Sequence, residues 1–181
     1  MGWRKMHFGL IRTFDVANGP GIRISLFVSG CTNKCKGCFQ PETWDFQYGK
    51  PYTKSIEDAM IQELAKPHYR GITILGGEPF EPSNQVEIIK IIRRIRKEMP
   101  EKDIWVYTGN LLDVDLIPGG KKYCLVTEEI LRSIDVLVDG QFIEAQKNLS
   151  LKFKGSENQR VIDMMETIKR GEIVLAHDYN N

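Results

Sequence analysis

Long apolar runs are missing from this sequence: none of its 181 residues belongs to an uninterrupted apolar stretch near the roughly 18 needed to cross a bilayer. That predicts a protein with no membrane partner. The first ten residues carry Arg4, Lys5 and His7 and no signal-peptide core, so a cytoplasmic address is expected. An excess of charge is missing too, since Lys and Arg total 25 against 24 for Asp and Glu. With a net charge of +1 there is no broad field to draw in nucleic acid, which is excluded as a direct partner. Histidine is scarce, and His7, His68 and His177 are too scattered to form a ligand pattern. Internal repeats, low-complexity tracts and interdomain linkers are absent, which with this length predicts one domain spanning residues 1–181.

Cysteine is also scarce, but three of its four copies fall within eight residues. In a reducing compartment structural disulfides are rare, so metal or cluster ligation explains the grouping better.

Strand-like runs alternate with helix-like ones. The strands are continuous apolar segments, as in a parallel sheet covered on both faces, so the fold class is α/β. The spacing predicts strands at residues 24–29, 72–75, 104–108 and 134–138, with a weaker one at 158–162. Helices are predicted at 55–66, where Ile56, Met60 and Leu64 recur four apart, at 83–99 along Ile88, Ile91, Ile92 and Ile95, and at 127–132. The basic residues of the second helix read as its solvated face. Special residues follow the strands: Cys31, then Gly76, Gly77 and Glu78, then Thr108 and Gly109, then Asp139 and Gly140. In a parallel sheet or barrel these ends form one rim, where ligands bind. A complete eight-stranded barrel needs about 200 residues or more, so an incomplete (β/α) barrel, open on one side, is expected.

The segment Cys31-Thr32-Asn33-Lys34-Cys35-Lys36-Gly37-Cys38 carries three thiols on a loop directly after a buried strand. Soft sulfur ligands favour zinc or iron-sulfur centres. Structural zinc usually takes four protein ligands, and the sequence offers no second cysteine pair, Cys124 being the one other thiol. An all-cysteine 4Fe-4S cluster also uses four thiolates, so three leave one iron open. An open position points to catalysis.

This spacing resembles that of the radical S-adenosylmethionine superfamily, and Gly76-Gly77-Glu78-Pro79 resembles the segment that binds the methionyl amino group there. The run from Asn18 to Arg23, the approach Leu26-Phe27-Val28-Ser29-Gly30 to Cys31, and Thr43-Trp44-Asp45 are similar to the signature of glycyl-radical activating enzymes. Within that group, residues 135–140 with Phe142, and residues 149–163, resemble the activases of anaerobic ribonucleotide reductase. The resemblance covers roughly residues 7–163 and leaves 164–181 as an unmatched C-terminal extension. It implies a 4Fe-4S cluster on Cys31, Cys35 and Cys38 and S-adenosyl-L-methionine as cofactor, cleaved to methionine and a 5'-deoxyadenosyl radical. That radical would take an α-hydrogen from a backbone glycine of the large catalytic subunit of the reductase. A small electron-donor protein such as a flavodoxin would supply the electron. For cofactor binding the resemblance and the loop chemistry nominate Gly37 and Cys38, Phe39 to pack on adenine, and Gly76, Gly77 and Glu78. Thr108 and Asp139 are nominated for the ribose, the methionyl carboxylate or a cation. No catalytic side chain beyond cluster and cofactor is expected.

Two other readings share these residues. One is a radical S-adenosylmethionine enzyme acting on a small molecule, similar to carboxy-deazaguanine synthase. The other is a zinc-stabilised binding module using the three cysteines plus a His or Cys124. The setting of Cys124, before Leu125 and Val126, is that of a packed free thiol, and the tail reads as a packing extension or partner contact.

Overall fold

The computed structural model describes residues 5–180, so residues 1–4 of the segment inspected for an export signal lie outside it. Seven strands form one open sheet in the order β3-β1-β2-β4-β5-β6-β7. They are β1 (His7–Asp15), β2 (Arg23–Val28), β3 (Lys50–Pro51), β4 (Gly71–Gly76), β5 (Asp103–Tyr107), β6 (Val136–Asp139) and β7 (Arg160–Asp163). The helices are α1 (Lys54–Leu64), α2 (Pro82–Glu98), α3 (Thr127–Ser133) and α4 (Met164–Arg170). None of the described helices is long and apolar enough to cross a membrane.

Strands β2, β4, β5 and β6 run parallel in unbroken register, Ile24 beside Ile72, Ile72 beside Ile104, and Val106 beside Leu137. On one face of the sheet Ile24, Leu26, Ile72, Ile74, Ile104, Val106 and Leu137, with Ile162 of β7, pack against Leu64 of α1, Ile88, Ile91, Ile92 and Ile95 of α2, Ile130 of α3 and Met164 of α4 in one main core. Pro82 opens α2, where a missing N–H costs nothing, and Thr53 caps α1 by accepting from Ile56 N–H at 3.4 Å. α1 therefore starts at Lys54, one residue before the helix predicted at 55–66.

The expected parallel sheet is found at the centre, between β2, β4, β5 and β6, while its margins depart from it. Strand β1, unforeseen in the sequence, is antiparallel to β2, and β7 is antiparallel to β6. No α-helix separates β6 from β7, so the chain returns without a crossover and reverses direction. The α-helices contribute only to the face that holds the main core. The other face carries Arg23, Ser25, Phe27, Thr73, Trp105 and Tyr107 by the alternation of a strand. Loop and tail segments cover it: Thr73 Oγ1 donates to Asn18 O at 2.8 Å, Tyr107 Oη to Phe153 O at 2.8 Å, and Tyr179 of the tail meets Trp105 edge-on at 5.4 Å between centroids. A fully buried Arg23 bonds Thr73 Oγ1 and Ile72 O and pairs with Asp103 at 2.5 Å, tying β2, β4 and β5 together at their amino ends.

Candidate functional site

With four parallel strands in register, their carboxyl ends are level. β2 delivers the chain into the cysteine loop. The ladder between β2 and β4 continues past both strands, with Gly77 N–H donating to Val28 O at 2.7 Å and Glu78 N–H to Gly30 O at 2.8 Å. A side chain at Gly77 would place Cβ 2.7 Å from Gly30 O, and one at Gly76, where φ is +111°, would come 2.6 Å from Val28 O. These glycines are demanded by the close approach of two backbones as well as by any ligand.

A cavity of about 620 Å³ opens between this rim and the loop-covered face of the sheet. Cys31, Cys35, Cys38, Phe39, Gly76, Gly77, Glu78 and Thr108 all line it. Four residues of the cysteine loop and four from two strand ends thus share one space. Cys31 is buried, Cys35 and Cys38 are half-buried, and all three thiols are free. Burial, with the charges of Glu78 and Glu81 adding to it, pushes the Cys31 thiol up to about 11. Such a thiol becomes a thiolate when a metal supplies the compensating charge. Phe39 is exposed at the mouth, 5.0 Å from the Phe142 ring and with Lys147 Nζ 5.0 Å from its centroid. Trp44 lines the same cavity and buries an indole N–H without a partner among the described residues, a donor that a bound cofactor would satisfy. Three soft thiols facing one cavity are a donor set that fits an iron-sulfur cluster. Among the described residues no three His, Cys, Asp or Glu side chains already form a group tight enough for a single metal ion.

Two nominated residues are not brought to the cavity. Gly37 has φ +73° and faces Glu144, so it serves the turn between Cys35 and Cys38. Asp139 is fully buried behind the rim, its oxygens accepting from Leu112 N–H at 2.8 Å and from Arg160 at 2.8 and 2.6 Å. Cys124 lies outside the cavity, 3.6 Å from Thr127 Oγ1.

The carboxylate of Glu78, nominated for cofactor binding, is engaged within the rim. It is fully buried and accepts five hydrogen bonds, from Phe80 N–H and Thr108 Oγ1 on Oε1, and from Asn33 Nδ2, Gly109 N–H and Asn110 Nδ2 on Oε2, all within 2.8–2.9 Å. Burial pushes its carboxyl up, against the pull of these donors and of the Lys122 charge. Three residues on, Glu81 Oε1 accepts from Thr32 N–H and Oγ1, both at 2.7 Å, and from Lys122 Nζ at 2.5 Å. Sequence reasoning missed Asn33, Glu81, Asn110 and Lys122. The spacing of Glu78 and Glu81, one turn apart at the entry to α2, was the signal available for one of them.

Comparison with known proteins agrees with this geometry. A family described as a 4Fe-4S single cluster domain matches residues 17–162. The anaerobic ribonucleoside-triphosphate reductase-activating protein of Escherichia coli (strain K12) is 42% identical over 149 residues, 81% of this chain and 92% of that protein. Its namesake in Vibrio cholerae serotype O1 is 39% identical over 157 residues, 85% of this chain and 96% of the relative. That of Enterobacteria phage T4 is 35% identical over 159 residues, 86% and 93% of the two chains. Identity of 35–42% over more than four fifths of the chain, with a family model matching residues 17–162, shows that the chain belongs to the family of anaerobic ribonucleoside-triphosphate reductase-activating proteins.

Proposed function

We propose that this chain is a radical S-adenosylmethionine activase that generates a glycyl radical on the large catalytic subunit of anaerobic ribonucleotide reductase. The observation that carries the reading is three free thiols lining one cavity together with the Gly76-Gly77-Glu78 turn and Thr108. Cys31, Cys35 and Cys38 hold a 4Fe-4S cluster and leave one iron without a thiolate. Such a cluster supplies the electron that splits S-adenosyl-L-methionine into methionine and a 5'-deoxyadenosyl radical. The backbone of Gly76 and Gly77 receives the methionyl end of the cofactor, and Phe39 packs on its adenine. Glu78 acts through the frame it holds, fixing Asn33, Thr108, Gly109 and Asn110 about the rim.

We read the open sheet as an incomplete (β/α) barrel in a single domain, its unclosed side admitting a polypeptide segment to the cavity. The protein substrate is the reductase, the electron donor a small protein such as a flavodoxin, and the working compartment the cytoplasm. The names of the relatives and the 4Fe-4S family match favour this over a small-molecule enzyme or a zinc module. The test is anaerobic incubation with reductant, S-adenosylmethionine and the reductase subunit, followed by electron paramagnetic resonance. A glycyl doublet on that subunit is expected. Cofactor cleavage with no radical on the subunit would refute the substrate, and a colourless protein holding zinc would refute the chemistry.

A further inference from the structure

Lys122 is a buried cation for which the chemistry above gives no task. Its side chain and that of Glu81 are each 6% exposed, and their charged atoms meet at 2.5 Å. A buried pair of this kind costs desolvation that its attraction repays only with good geometry and further hydrogen bonds, so its stability value alone is a weak reason for its presence. Its position is more telling. Lys122 Nζ also donates to Thr32 Oγ1, and Thr32 donates its own N–H to Glu81. Thr32 is the residue after Cys31. The pair therefore grips the cysteine loop at its first ligand.

The electrostatics at that point are one-sided without Lys122. Two buried carboxylates, Glu78 and Glu81, hold the two residues that follow Cys31, accepting from Asn33 Nδ2 at 2.8 Å and from Thr32 N–H at 2.7 Å. Lys122 pairs with one and lowers the proton affinity of the other. The carbonyl of Lys122 is itself anchored by Gln85 Nε2 at 2.7 Å, whose oxygen accepts from Thr127 Oγ1 at 2.6 Å, so the ammonium is aimed by a buried chain of contacts.

We propose that Lys122 is a positioning and charge-balancing residue for the cluster: it holds Glu81 on Thr32 and offsets both carboxylates, so that the centre accepts its electron at a less negative potential. The inference rests on the reading that Cys31, Cys35 and Cys38 carry a 4Fe-4S cluster. One electron enters from a low-potential reductant, and no covalent bond forms or breaks. Since reduction adds negative charge, a fixed ammonium in a site removed from water stabilises the reduced form, and its loss makes reduction harder.

The experiment compares anaerobically reconstituted wild type, Lys122→Met, Lys122→Arg, Glu81→Gln and the Glu81→Gln/Lys122→Met double variant. Iron and sulfide are counted, and midpoint potentials are read by titration with dithionite followed by electron paramagnetic resonance. Lys122→Met is expected to titrate at a more negative potential than wild type, Lys122→Arg with wild type, and Glu81→Gln at a less negative one. The double variant, having lost both charges, is expected to return toward wild type. An iron-loaded Lys122→Met with the wild-type potential overturns the proposal, as does a double variant shifted as far as Lys122→Met. Should Lys122→Met fail to load iron, Glu81→Gln decides, and a potential at or below wild type overturns the proposal. Wild type that takes up no iron refutes the cluster reading instead.

Discussion

Replacing Glu78 by Gln keeps the shape of the side chain and removes one acceptor oxygen, which makes it a sharp probe of the five-donor hub. If the new amide nitrogen takes the place of Oε2, it faces Asn33 Nδ2, Gly109 N–H and Asn110 Nδ2. The two Asn side chains can turn their carbonyls toward it. Gly109 N–H cannot turn. If the nitrogen takes the place of Oε1, the Thr108 hydroxyl can rotate and Phe80 N–H is the one left unpaired. Either rotamer strands one backbone N–H in the rim, at a cost of about 1–3 kcal/mol. The charge-assisted character of the remaining bonds is lost as well, while relief from burying a carboxylate, which pushes Glu78 up, works the other way. A net loss of about 2 kcal/mol follows, and in a chain of this size that lowers Tm by roughly 4–8 °C. Thermal unfolding followed by circular dichroism, under anaerobic reducing conditions at neutral pH, measures it, with Glu78→Ala expected to lose more because all five donors are stranded. A Glu78→Gln protein that melts with or above wild type would show the carboxylate to be a burden on the fold, and the hub argument would fail.

Other outcomes follow from the same geometry. Cys31→Ala, Cys35→Ala and Cys38→Ala should each lose iron and cofactor cleavage after anaerobic reconstitution, whereas Cys124→Ala should match wild type in iron content; iron loss in Cys124→Ala would contradict its place outside the cavity. Gly77→Ala puts a methyl 2.7 Å from Gly30 O and should cost about 1–3 kcal/mol in urea unfolding, so an unchanged midpoint would deny the close approach. Tyr179→Ala removes edge contacts with Trp105 and Phe153 at 5.4 and 5.3 Å; at about 0.5–1.5 kcal/mol each it should destabilise the chain by about 1–3 kcal/mol and leave iron uptake intact. Equal stability would mean that the tail does not pad the sheet.

The parallel centre of the fold was legible because its strands are unbroken apolar runs and each ends in a residue that a strand interior would not tolerate. Strand β1 was not, since Gly9, Arg12 and Thr13 interrupt any run and five of its nine residues are exposed, as on the margin of a sheet. Orientation at the other margin depended on the absence of an α-helix between β6 and β7, which the periodicity of a weak strand does not register. The cysteine loop and the Gly-Gly-Glu turn were readable as local motifs. Their fasteners were not: Lys122 lies 41 residues from Glu81 and 90 from Thr32, and nothing near it in sequence sets it apart from Lys121. Asp139 shows the converse failure. Its rim position was legible, but whether it faced a ligand was decided by Arg160, 21 residues later, which claims both of its oxygens.

Glu78 and Glu81 grip successive residues, Asn33 and Thr32, so the first part of the cysteine loop is fixed from outside by the turn that leads into α2. Cys31 is buried within that clamp, and its N–H donates to Trp44 O at 3.3 Å. Past Asn33 the support thins. Cys35 and Cys38 are half-buried, Lys34 has a positive φ of 46°, and between these two thiols the backbone is held by Cys38 N–H on Cys35 O at 3.2 Å. On the proposed reading the loop would have one preformed ligand and two whose placement relies on the metal, which would make cluster binding a local folding step. Hydrogen exchange with the cluster removed should therefore show Cys31 and Thr32 nearly as protected as in the loaded protein, while the amides from 34 to 40 gain most of their protection on loading. Uniform protection of the whole loop without metal, or loss of protection at Thr32 on removing it, would place the organising force in the cluster and not in the two carboxylates.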